Sequence, residues 1–63
     1  MYKVSTELVT FDSDGMRLDK FINEFNVLKE ATDFYNRIKR LLDKHNIMGS
    51  IMIVDSNTGE VLK

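Results

Sequence analysis

The chain has 63 residues, 43% of them apolar and 30% charged, and nine basic against ten acidic side chains leave a formal net charge of −1. This balance describes one globular domain over residues 1–63 rather than a disordered chain, and its near-neutrality excludes a global field that would draw it to nucleic acid or an anionic membrane. With no cysteine and no Cys/His set, neither disulfides nor a structural zinc can reinforce the ~3–5 kcal/mol that one small core supplies, so the sequence points to self-association, a partner or unusually good packing.

Tyr2–Phe11 is rich in β-branched and aromatic residues (Val4, Thr6, Val9, Thr10, Phe11) and reads as a strand. The Asp12-Ser13-Asp14-Gly15 that follows is hairpin-turn chemistry, with Gly15 supplying positive φ. Met16–Phe25 would then return along the first strand. Leu18, Phe21, Ile22 and Phe25 also match the i, i+3, i+4, i+7 template of a short helix, and the strand reading is preferred because the turn precedes it.

Val27–His45 predicts an amphipathic helix. At 100° per residue, Val27, Leu28, Ala31, Phe34, Tyr35, Ile38, Leu41, Leu42 and His45 fall on one arc of roughly 140°, and every charged residue falls outside it. Asn26 is the expected N-cap. Glu30 and Asp33 near the start and Arg37, Lys39, Arg40 and Lys44 towards the end complement the helix dipole.

Asn46 ends the helical pattern, and Ile47–Val54 reads as a buried strand at the centre of the sheet. Asp55-Ser56-Asn57-Thr58-Gly59 is a second turn, and Glu60–Lys63 is expected to return as a short edge strand. The fold class is therefore α+β: a four-stranded antiparallel ββαββ sheet with the helix packed on one face.

One helix covers one face of such a sheet, so the other should read polar in a solitary protein. It does not. By strand alternation, Phe11, Met16, Leu18, Ile22, Met48, Met52 and Val54 share the face away from the helix and form the expected interface. A two-fold homodimer is the default arrangement for such a surface.

The chemical motifs are weaker. Asp12-Ser13-Asp14-Gly15 resembles part of a calcium loop, but that register places Thr10 first and Phe21 where the bidentate Glu belongs, which leaves a turn. His45 is the single histidine and reads as a cap or core-edge residue; no Ser/His/Asp set, nucleophile elbow or phosphate-binding glycine spacing is present, so neither an enzyme nor a cofactor is expected. Arg37, Arg40 and Lys44 recur at i, i+3, i+7 and are candidate phosphate contacts, although the interleaved Glu30, Asp33 and Asp43 favour a solvated face laced with ion pairs. No basic segment followed by an apolar stretch opens the sequence, and the longest apolar run, Ile51–Val54, is far short of the ~20 residues that cross a bilayer; the expectation is a cytoplasmic protein without membrane contact.

The segment Asn26–Tyr35, together with Ile51–Leu62 and its Asp55-x-x-Thr58-Gly59-Glu60 turn, resembles small ββαββ proteins encoded by bacteriophages and mobile elements. The resemblance implies a protein target, since many such proteins bind and block a host enzyme or defence component. The sequence thus predicts a non-enzymatic, homodimeric protein-interaction module, with a dimeric nucleic-acid binder using the Arg37/Arg40/Lys44 stripe as the alternative.

Overall fold

A computed structural model describes all 63 residues, with strands β1 (Tyr2–Asp12), β2 (Gly15–Phe25) and β3 (Met48–Asp55) and one helix, α1 (Leu28–Lys44), in the order β1-β2-α1-β3. β1 and β2 pair antiparallel along their whole length, from Tyr2 opposite Phe25 to Asp12 opposite Gly15. Ser13 and Asp14 close the hairpin: the Asp14 N–H donates to Asp12 Oδ1 at 2.9 Å, and Gly15 takes φ +120°, a conformation that side chains rarely tolerate. Residues 16–25 are therefore strand; the helical template they also match yields to eleven paired positions on β1.

β3 pairs antiparallel with the other side of β1, from Tyr2 opposite Asp55 to Val9 opposite Met48, which gives the order β2-β1-β3. Both outer strands run parallel to each other, and α1 crosses over β1 to connect them. Two expectations are corrected here. The sheet has three strands, not four, and its centre is β1, not the strand after the helix.

The missing fourth strand has a visible reason. The turn after β3 consumes Ser56–Gly59, with the Gly59 N–H donating to the Asp55 carbonyl at 2.7 Å, and leaves four residues to pair. These do lie along β3: the Asp55 N–H reaches the Glu60 carbonyl (2.8 Å) and the Leu62 N–H the Ile53 carbonyl (2.8 Å). The result is a single bridge, Val54 to Val61, rather than a strand. Ser56 ties this turn to the start of β1, donating from both its N–H (3.0 Å) and its Oγ (2.6 Å) to the Met1 carbonyl.

The helix is one residue shorter at each end than its pattern suggests. Val27, not Asn26, occupies the N-cap position, in extended conformation and with no side-chain hydrogen bond to the first turn. At the other end His45 is the C-cap and Asn46 takes φ +52°. The Ile47 N–H donates to the Leu42 carbonyl (2.9 Å) and the Asn46 N–H to that of Asp43 (3.4 Å), the paired bonds of a Schellman stop. Ile47 is spent on that stop, so β3 begins one residue later than its apolar run.

Helix and sheet meet in a small core. Val4 from β1, Ala31 from α1 and Ile53 from β3 form the buried cluster, joined at its margin by Phe25 and Phe34, whose ring centroids lie 5.2 Å apart. Thr6 and Leu42 are the other buried residues. Gly49 lets β3 approach β1 closely, since a Cβ there would run into the Glu7 carbonyl oxygen and crowd Leu8. The molecule is elongated, 40 × 22 × 14 Å, because the far third of the hairpin has no β3 beside it.

Candidate functional site

Directly opposed residues of antiparallel strands share a face, so the registers fix both surfaces of the sheet. Even-numbered β1 residues, from Tyr2 to Leu8, face α1 along with Phe21, Phe25, Ile51 and Ile53. The other surface is laid out in rows: Phe11 with Met16; Val9 flanked by Leu18 and Met48; Glu7 flanked by Lys20 and Ser50; Ser5 flanked by Ile22 and Met52; and Lys3 flanked by Glu24 and Val54.

All seven residues singled out by alternation lie on this one surface. Phe11, Met16, Leu18, Ile22 and Met48 are exposed, from 55% at Ile22 to 67% at Phe11, while Met52 and Val54 are half-buried. Val9 joins them and closes a contiguous cluster with Phe11, Met16, Leu18 and Met48 at the hairpin end. A belt of charge separates it from Ile22, Met52 and Val54: Lys20 Nζ stands 4.0 Å from Glu7 Oε1 across the strands, both well solvated. Such exposed pairs contribute little stability.

The helix-facing side holds a second apolar concavity that strand alternation did not single out. A cleft of about 290 Å³ opens between α1 and the β1–β2 hairpin, lined by Leu8, Phe21, Phe34, Ile38, Leu41, Leu42 and Ile47, with Thr6 and Asn23 as its polar members. These residues read as core in the sequence, yet Phe21, Leu41 and Ile47 remain exposed. The cause is undersized, polar partners. Thr6 and Asn23 stand where larger apolar side chains would fill the space beneath the helix, and that pair of polar residues on the helix-facing side is the signal that marks the gap.

Arg37, Arg40 and Lys44 are exposed on α1, and the expected ion pairs around them do not form: the molecule's two salt bridges are Arg17–Asp19 and Lys20–Glu7, both on the sheet. Lys39 and Lys63 instead place their ammonium groups 5.7 and 5.3 Å from the Tyr35 ring centroid. His45 is exposed at the helix end rather than at the core edge, its N–H bonded to the Leu41 carbonyl. In the turns, Asp12 and Asp55 spend a carboxylate oxygen on the backbone N–H two residues ahead, at 2.9 Å each. No helix is long and apolar enough to cross a membrane.

No protein-family model, curated protein or solved structure matches this chain.

Proposed function

We propose that this protein is a cytoplasmic, non-enzymatic protein-interaction module that self-associates through the helix-free face of its sheet, with a second copy as the occupant of that face. One observation carries the reading: seven apolar side chains lie on the helix-free surface of the sheet, and five of them, Phe11, Met16, Leu18, Ile22 and Met48, are exposed. Uncovered apolar area of this extent is costly in water, and burying it stabilises a complex by roughly 25 cal/mol per Å² before the entropic cost of association. Two such faces stack as an aligned sandwich at about 10 Å spacing. A net charge of −1 leaves little repulsion between copies. The exposed face of α1 remains free for a protein target, in keeping with the resemblance to phage-encoded blockers.

Sedimentation equilibrium across micromolar concentrations tests this. Met48→Glu, at an exposed position of the hairpin-end cluster, is expected to abolish association through the face while leaving the circular dichroism spectrum unchanged. Unaltered association in that variant would remove the reading. A nucleic-acid role has one observation in its favour, the exposed and unpaired Arg37, Arg40 and Lys44. It requires binding that falls steeply with salt and with Arg37→Ala and Arg40→Ala together.

A further inference from the structure

The two edges of the sheet are treated differently. β3 has the end of its outer edge, Ile53–Asp55, occupied by the chain itself, through the Val54–Val61 bridge and the hydrogen bonds from Asp55 to Glu60, from Leu62 to Ile53 and from Ile53 to Lys63, which leaves only Met48–Met52 open. β2 has nothing on its outer side. Its eleven residues, Gly15–Phe25, contain no proline, pair without interruption on their inner side and leave an outer row of backbone donors and acceptors open. Natural sheets blunt such an edge with proline, a bulge, a covering segment or charged side chains, and of these β2 carries only the last, at Arg17, Asp19, Lys20 and Glu24.

We propose that β2 pairs with β2 of a second copy, antiparallel about a two-fold axis through Ile22, joining two three-stranded sheets into one of six strands. Charge selects this register. Antiparallel pairing of a strand with its own copy keeps the two positions of each pair on the same face, so the axis passes through one residue. Centred on Lys20, it opposes two ammonium groups; centred on Asp19, two carboxylates; centred on Phe21, it sets Lys20 against Ile22 and Leu18 against Glu24. Centred on Ile22, it places Ile22 against its copy and Lys20 against Glu24 twice over, once on each side of the axis. Opposite charges directly across a ladder stabilise it, and like charges oppose it. A Leu18-centred register would instead set Arg17 against Asp19, which already pair within one chain at 3.4 Å, and would leave Lys20 facing Met16; the Ile22-centred one draws Lys20 only from the longer 4.0 Å contact with Glu7.

This contact is additional to the face contact proposed above and does not depend on it. Either alone gives a dimer, and the two together close into a four-chain assembly when their two-fold axes cross at right angles.

The test is charge exchange. Lys20→Glu and Glu24→Lys, each alone, set like charges together on both sides of the axis, and each is expected to weaken the β2 contact by about tenfold or more. An equimolar mixture restores both opposite-charge pairs and should re-associate as tightly as the wild type, although neither chain has changed internally on mixing. Oxidative crosslinking of Ile22→Cys supplies a second readout. Paired strands bring the two Cα atoms within disulfide range, whereas stacked sheets hold them about 10 Å apart, so a crosslinked dimer reports the edge and not the face. It should persist with Met48→Glu present, which separates failure of the face reading from failure of this one. A mixture no tighter than its components, absence of the Ile22→Cys crosslink, or preferential crosslinking through Leu18→Cys would each overturn the proposal.

Discussion

At the scale of single residues, the helix ends show where the chain departs from its best local chemistry. An N-cap side chain accepts a hydrogen bond from a first-turn amide, and Val27 has no atom to do so. Val27→Asp is therefore expected to stabilise the fold by about 1 kcal/mol, from the cap bond and from a negative charge beside the helix N-terminus. Asn26→Ala should change stability by less than about 0.5 kcal/mol, because the side chain stands outside the cap position. Urea denaturation of the two variants checks the pair, and a larger loss at Asn26 than the gain at Val27 would contradict the assignment. The sequence favoured Asn26 because asparagine is the better capping residue, and residue type was the only local signal. The boundary moved by one residue because the chain leaves β2 at Phe25 and needs two residues to turn.

At the scale of elements, the hairpin, the helix and the third strand were legible because each rests on a short-range period or a turn. Alternation over Tyr2–Phe25 about Asp12–Gly15, and the apolar arc of the helix, survive any tertiary arrangement. Alternation also separated Met48, Met52 and Val54 from Ile51 and Ile53, and Phe11, Met16, Leu18 and Ile22 from Phe21 and Phe25, as the registers have them. The fourth strand and the strand order were not legible, since both depend on which element pairs with which. Four residues after a tight turn carry no alternation long enough to distinguish a strand from a single bridge. The open cleft under α1 escaped for a related reason: an apolar arc predicts that a face is covered, but not whether the covering side chains are large enough. The small core has a measurable consequence. Ile53 is almost wholly buried between α1 and β1, and its truncation to Ala should cost ~2–5 kcal/mol. That is comparable to the whole net stability expected of a domain this size, about 3–5 kcal/mol. Ile53→Ala is therefore expected to lose its cooperative thermal transition in dilute solution, while Ile53→Val, at ~0.5–1.5 kcal/mol, should keep it.

At the scale of the whole molecule, the disproportion between core and surface governs behaviour. Only five of 63 residues are buried, and the far end of the hairpin carries Phe11 and Met16 into solvent beyond the reach of β3. The proposed partner copy would supply what so small an interior lacks, and a folded state stabilised in that way obeys mass action. For a dimer that unfolds as it dissociates, each tenfold rise in concentration adds about 1.4 kcal/mol to the apparent stability. The wild-type melting temperature is accordingly expected to climb over a hundredfold range of concentration. With Leu18→Glu, which places a charge inside the cluster of Phe11, Met16, Val9 and Met48, combined with Lys20→Glu against the β2 contact, it should become independent of concentration and settle near the dilute wild-type value. A wild-type melt that does not move with concentration would mean that the three-residue core holds the fold by itself, and the exposed face would lose its energetic reason for a second copy.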